Sequence, residues 1–442
     1  MNSKPLKVAV IGGGSSYTPE LIEGFIKNYD QFPLQELYLV DIDAGRDKLQ
    51  IVGALARRMI ENAGIPIRLH LTMDRREAIS GSSFVLTQIR VGGLDARAAD
   101  ERIPLQYGCI GQETTGAGGF AKAIRTIPVI LEICKEMEEL APEAFLINFT
   151  NPAGIITEAV LKHSSIRTIG LCNLPIHTKM QIAQLAETDP ANVDMEMVGI
   201  NHLNWTRNIR INGYDRTEDV VRMFDNSSGL SVKNIPDYKW GEGFLSSLGM
   251  IPCSYLRYYY LRDKMLKEQQ EALPVKGTRA DAVKKVEREL FELYKDPELK
   301  VKPAQLEQRG GAYYSEAAVE LITSIYNNAR NIQIVNVRNN GVIPCLGQDV
   351  SVEVRCIISS EGATPMMLSG GPLPAEIRGL IQVVKAYEEL TVEAGVNGDY
   401  GSALQALTIH PLVGASSLAK AILDQILAEN KSYLPQFFNN KA

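Results

Sequence analysis

The chain has little histidine, five residues in 442, and its six cysteines are scattered singly. His70, His163, His177, His202 and His410 are too few and too dispersed for a metal centre built mainly of imidazoles. Cys109, Cys134, Cys172, Cys253, Cys345 and Cys356 show no paired zinc-type spacing, and a chain of this size needs no disulfide framework. An excess of basic charge is also missing. With 46 Lys+Arg against 52 Asp+Glu the net charge is −6, which argues against a sequence-independent grip on nucleic acid. No apolar run approaches the ~20 residues of a membrane span, and the opening MNSKPLKVAV leaves no room for a signal peptide ahead of the first strand. These absences predict a soluble, cytoplasmic protein with a small-molecule substrate and no nucleic-acid or membrane partner. Any anionic ligand must be met by a few placed arginines.

What is present is alternation. Residues 6–11 are apolar and β-branched, Gly12-Gly13-Gly14 follow, and a helical stretch runs over 19–28. Further strands are predicted at 36–40, 67–71, 84–89, 145–148 and 166–172, with helices at 45–63 and 122–140 between them. This order predicts an α/β fold whose N-terminal part is a doubly wound, parallel, Rossmann-like sheet. Strands near 206–212, 332–337 and 350–357, mixed with helices, predict a C-terminal α+β domain. Single cores stop growing near ~250–300 residues, so two domains are expected, 1–197 binding a dinucleotide and 198–442 completing the substrate and catalytic site.

The glycine loop carries the first chemical signal. A strand-to-helix turn that approaches a pyrophosphate has no room for Cβ atoms, and the helix N-terminus presents free N–H groups to the phosphates. Gly12, Gly13, Gly14 and Ser15 fit this role, although Tyr17 stands where a third glycine is usual. Asp41, ending the second strand, is placed for a ribose diol and favours NAD over its 2′-phosphorylated form. The plainer alternative is a tight turn and an Asp that caps the next helix. Cys172, ending a strand, and His202, in a polar island at the domain boundary, both suit a cleft, yet each could equally be packing or an ordinary hydrogen-bonded histidine.

Taken together, GGGSSYTPEL at 12–21, IRVGG at 89–93 with Arg97, GQETTGAGG at 111–119, NFTNPAG at 148–154, CNLP at 172–175, GINHL at 199–203 and PCSYLRYYY at 252–260 make the chain similar to glycoside hydrolase family 4. The resemblance implies a domain like that of lactate and malate dehydrogenases, with NAD and a divalent metal, usually manganese, as cofactors. It implies an unusual hydrolysis by transient oxidation at the sugar C3, deprotonation at C2 and elimination, outside the two-carboxylate scheme of most glycosidases. By motif, Cys172 and His202 would bind the metal and Tyr255 would be the base. Tyr255, Tyr258 and Tyr259, spaced for one helical face, could instead be aromatic packing. Asn173 after the cysteine resembles the 6-phospho-β-glucosidase branch. Arg97, Asn151 and Arg279 would contact the sugar and its phosphate, with Gln112 and Glu113 near its hydroxyls.

The leading expectation is hydrolysis of a phosphorylated disaccharide, such as cellobiose 6-phosphate, or of a phosphorylated aryl glycoside, by a homodimer or homotetramer. The alternatives are a malate dehydrogenase-like oxidoreductase, a silent NAD-sensing protein and a 6-phospho-α-glucosidase.

Overall fold

The computed structural model describes residues 5–227, 230–232, 235–309 and 313–439. Six parallel strands form the first half of the sheet: β1 (Lys7–Ile11), β2 (Glu36–Val40), β3 (Arg68–Thr72), β4 (Phe84–Thr87), β5 (Phe145–Asn148) and β6 (Arg167–Gly170). Every residue of β1, β4 and β5 is buried, as expected of parallel strands covered by helices on both faces. Their spatial order is β3-β2-β1-β4-β5-β6. The order reverses between β1 and β4, so a crevice opens there at the carboxyl ends of the strands, where open α/β sheets bind ligands.

The sheet does not stop at β6. Strands β7 (Val193–Ile200), β8 (Leu203–Ile211), β9 (Tyr214–Asp215), β10 (Ile251–Pro252), β11 (Ile332–Arg338), β12 (Ser351–Ser359) and β13 (Gly362–Pro365) extend it antiparallel, in the order β6-β11-β12-β7-β8-β10, with β13 on β12 and β9 on β8. The expected division at 197/198 therefore falls inside β7. One buried apolar cluster runs through both halves, from Val8 and Leu39 to Val354 and Ile422, and a smaller one forms around Ile182, Met197, Ile209 and Phe224. A sheet that continues across the boundary supplies a shared core, so the second half need not close one of its own.

Two joints in this extension are narrow. Between β6 and β11 the pairing is Gly170 with Asn336 alone, and between β12 and β7 it is Glu353 with Gly199 alone. Asn336 in turn faces Glu353, and Gly199 faces Asn204, so these residues make one row across five strands. The row is polar and buried. Glu353 Oε1 accepts from Asn336 Nδ2 at 2.9 Å and from Asn201 Nδ2 at 3.2 Å, and Oε2 accepts from Asn204 Nδ2.

The long helix Gly116–Leu140 packs against Ala375–Asn397 from the C-terminal region, which covers the first half of the sheet with chain from the second. Among the described residues, no helix is long and apolar enough to cross a membrane.

Candidate active site

The glycine loop leaves β1 with Gly12 at φ +89°, a left-handed conformation that glycine adopts without strain. A Cβ on Gly14 would sit 2.6 Å from Asp41 Oδ2, because the Gly14 N–H donates to that oxygen at 2.9 Å. Asp41 Oδ1 accepts from Ile42 N–H at 2.9 Å. The loop and the end of β2 are thus tied together through the residues expected to hold the dinucleotide. Thr18 Oγ1 donates to Gly13 O at 2.8 Å, and Gln88 Nε2 donates to Gly12 O at 3.1 Å, so the turn is braced from the helix Thr18–Lys27 and from the end of β4. Tyr17 stands immediately before that helix, which explains why a third glycine is dispensable: its position is the helix N-cap, not a close backbone crossing.

Cys172 and Asn173 follow β6, and Asn173 is the N-cap of the helix Leu174–Leu185. His202 lies in the two-residue turn that joins β7 to β8, where Ile200 pairs with Leu203. Its φ is +63°, a conformation uncommon for a residue with a side chain, and strain of this kind gathers where function demands it. The turn brings His202 Nε2 to 3.5 Å from Cys172 Sγ. A thiolate and an imidazole on one ion, at bond lengths of ~2.3 Å and ~2.1 Å and an angle of ~90–110°, stand roughly 3.1–3.6 Å apart. The pair therefore fits a divalent metal. Burial, and then the Glu353 carboxylate, pushes the Cys172 thiol well up, while burial drives His202 down to about 3. Both groups rest neutral, and a cation is what would draw the thiol into its thiolate form. Among the described residues no set of three His, Cys, Asp or Glu side chains could enclose a metal.

Tyr255 lies in the short 3-10 turn Ser254–Leu256 and stacks on His202, with centroids 3.7 Å apart and planes 7° from parallel. Tyr258 and Tyr259 relate to it differently. Tyr258 is buried with its centroid 6.4 Å from Tyr255, and Tyr259 hydrogen bonds through its hydroxyl to Thr115 Oγ1 at 2.6 Å. Tyr255 and Tyr258 are thus within aromatic packing range of each other, while the Tyr259 hydroxyl is directed to Thr115.

Residues 111–116 meet His202 through Thr114, whose Oγ1 lies 3.0 Å from His202 Nδ1. Arg97, buried on the helix Gly93–Gln106, pairs through Nε with Glu101 at 2.8 Å and through Nη1 with Glu113 Oε1 at 3.0 Å. Glu113 Oε2 also takes Arg90 and, at 2.8 Å, Lys122. Burial alone would raise the Glu113 carboxyl, but Arg90, Arg97 and Lys122 hold it well below the usual carboxylate range. Burial and the neighbouring Arg90 lower Lys122 to about 7. The motif suggested Glu113 as a group facing the sugar; the structure commits both its oxygens to cations. Arg90, Lys122, Thr114 and Glu353 were not foreseen. Arg90 and Thr114 lay within the sequence motifs without a role of their own, and Glu353 left a trace as a charge inside the apolar run of β12. Asn151 precedes Pro152 at the carboxyl end of β5, and Arg279 begins the helix Arg279–Tyr294, whose first turn donates from Ala280 N–H to Glu101 Oε2 at 2.8 Å.

Sequence comparison supplies the family. The sequence models described as family 4 glycosyl hydrolase and family 4 glycosyl hydrolase C-terminal domain match residues 7–188 and 197–413. The chain belongs to glycosyl hydrolase family 4. A relative from Bacillus subtilis (strain 168), described as a probable 6-phospho-beta-glucosidase, is 53% identical over 439 residues, which cover 99% of each chain. Among solved structures, the 6-phospho-beta glucosidase of Thermotoga maritima with manganese, NAD+ and glucose-6-phosphate aligns at TM-score 0.86 and 35% identity, covering 97% of this chain and 99% of that one. A lactate dehydrogenase from a deep-sea metagenome aligns at TM-score 0.54 and 15% identity over 89% of this chain and 100% of its own, a likeness of fold alone. The Rossmann-like sheet expected from the strand–helix alternation is thus the one found.

Proposed function

We propose that this family 4 enzyme hydrolyses 6-phospho-β-glucosides, such as cellobiose 6-phosphate, to glucose 6-phosphate and the aglycone, with NAD and a divalent metal, manganese by preference. The observation that carries the reading is the Cys172–His202 pair at 3.5 Å with Tyr255 stacked on the imidazole. The description of the Bacillus relative supports the substrate, and the ligands of the Thermotoga structure support the substrate and the cofactors.

In this reading Gly12, Gly13, Gly14, Ser15 and Asp41 hold the dinucleotide, and Cys172 and His202 hold the metal. When bound, these cofactors supply reversible oxidation at the sugar C3 and polarisation of the oxygen there. Tyr255 takes the proton from C2, which the neighbouring ketone has made acidic, and the aglycone leaves from C1 by elimination. Water then adds to C1, and the proton and the hydride return. Arg97, Asn151 and Arg279 receive the sugar and its phosphate. Arg90, Arg97 and Lys122 form ion pairs with two carboxylates, Glu101 and Glu113, and this excess of cations favours an anionic ligand. Glu113 acts by fixing Arg97. Asn173 binds a sugar hydroxyl; being an amide it cannot act as a general acid, so the leaving oxygen draws its proton from another group or from water. Residues 1–197 and 198–442 divide this labour without dividing the sheet. The enzyme works in the cytoplasm as a homodimer or homotetramer.

The deciding assay uses p-nitrophenyl β-glucoside 6-phosphate in deuterated water, with and without NAD, chelator and added manganese. Cleavage should need both cofactors, leave deuterium at C2 of the product and accumulate no NADH. Stoichiometric NADH would indicate a dehydrogenase, and cleavage after complete removal of NAD would sink the mechanism.

A further inference from the structure

The side chain of Gln112 turns back into its own loop, and its Oε1 accepts from the Thr114 N–H at 2.5 Å and the Thr115 N–H at 3.0 Å. Two backbone donors fix which end of the amide points there, since its nitrogen could accept from neither. The same Oε1 lies 2.8 Å from Thr114 Oγ1. An amide oxygen has no proton, so the Thr114 hydroxyl must donate its single hydrogen to Gln112. Thr114 Oγ1 also lies 3.0 Å from His202 Nδ1, in a buried contact. With its hydrogen already committed, the hydroxyl can only accept from that nitrogen. His202 therefore carries its proton on Nδ1 and turns a bare Nε2 towards Cys172.

We propose that Gln112 and Thr114 are positioning residues that lock His202 in its Nδ1–H tautomer and so make Nε2 available as the metal ligand. This rests on the reading of Cys172 and His202 as a metal pair. It gives the GQETTG loop a role distinct from the cation cluster built on Glu113: one residue of the loop holds the sugar-binding arginines, and its two neighbours orient the metal site. Outer hydrogen bonds of this kind commonly set the affinity of a histidine site by ~10–100-fold.

The test measures Mn2+ binding directly, by the electron paramagnetic resonance signal of free Mn2+ titrated with the full-length, NAD-loaded protein. Thr114→Val and Gln112→Leu should each weaken binding by ~10–100-fold, with NAD affinity unchanged. Thr114→Ser and Gln112→Glu keep the acceptor chain and should stay near the wild-type value. Wild-type affinity in Thr114→Val, or a loss in Thr114→Ser as large as in Thr114→Val, would overturn the relay. A second measurement does not depend on the Thr114 and Gln112 variants folding: 15N spectra of histidine-labelled wild type, with His202 assigned by difference from His202→Asn, should show a protonated Nδ1. A protonated Nε2 in the metal-free protein would also overturn it. Failure of the wild type to bind Mn2+ would instead refute the metal site itself, while the nitrogen spectrum would still decide the tautomer.

Discussion

His202 and Tyr255 lie face to face with ring centroids 3.7 Å apart, although 53 positions separate them in the chain. A phenol held over the imidazole of a metal ligand experiences the charge of any ion that imidazole binds, and such a charge favours the phenolate. Tyr255→Phe keeps the ring and its stacking and removes only the oxygen. Turnover should fall by ~10²–10⁴-fold, and binding of NAD and of Mn2+ should stay within about threefold. Near-normal turnover in this variant would return Tyr255 to a packing role.

Metal removal gives a second expectation. Cys172→Ser replaces a soft sulfur donor with a neutral hydroxyl, so the Mn2+ concentration for half-maximal activity should rise by at least about tenfold. Exhaustive chelation of the wild type should abolish cleavage, and added Mn2+ should restore it. A chelated enzyme of full activity would exclude metal from the reaction.

Gly14→Ala would place a methyl 2.6 Å from Asp41 Oδ2 and displace the carboxylate from the Gly14 N–H. Calorimetric titration should show NAD affinity falling about tenfold or more. Unaltered NAD affinity would mean that this loop is not where the dinucleotide lies.

Arg97 has a structural role that separates it from surface arginines. Arg97→Ala removes the partner of buried Glu101 and one of the three partners of Glu113, and breaking a buried pair costs about 3–5 kcal/mol. Arg102→Ala, which loses an exposed bridge to Glu429, should cost under about 1 kcal/mol. Urea denaturation of the two variants provides the comparison, and equal losses would contradict the buried assignment.

Glu388, on the helix Ala375–Asn397, is raised to about 7 by burial and by Glu158, against the pull of Lys385. Its folded value lies above the unfolded one of 4.5, so the native state holds this proton more tightly. The resulting stability is full below about pH 4.5 and is lost as pH rises through about 7. Between pH 5 and pH 8 the wild type should therefore lose more stability than Glu388→Gln. Parallel melting curves for the two proteins would show that the group does not titrate in this window.

Much of the site could be read locally. Gly12 to Ser15 and Asp41 follow from strand–turn–helix alternation, and Cys172, His202 and Tyr255 from short motifs. What stayed hidden depends on pairing between distant strands. No local signal shows that β11 and β12 run between β6 and β7, so neither the continuity of the sheet past residue 197 nor the placing of Glu353 beside three asparagines could be deduced. Strand β7 was missed because it starts in the polar stretch after the helix Leu174–Leu185. The part played by Thr114 was hidden for a different reason: its meaning lies in the direction of one hydroxyl hydrogen, which only the positions of Gln112 and His202 determine.

The narrow joints of the sheet have a mechanical consequence. Cys172 follows β6 on one side of both joints and His202 lies in the turn after β7 on the other, so the proposed ligand pair is carried on opposite jaws of a seam. A shared ion would clamp that seam from above while the Glu353–asparagine row closes it from within. Opening of that seam would move Cys172 and His202 apart. Hydrogen exchange at Gly170 and Gly199 should then slow when metal binds, which makes those two amides reporters of how firmly the jaws are shut.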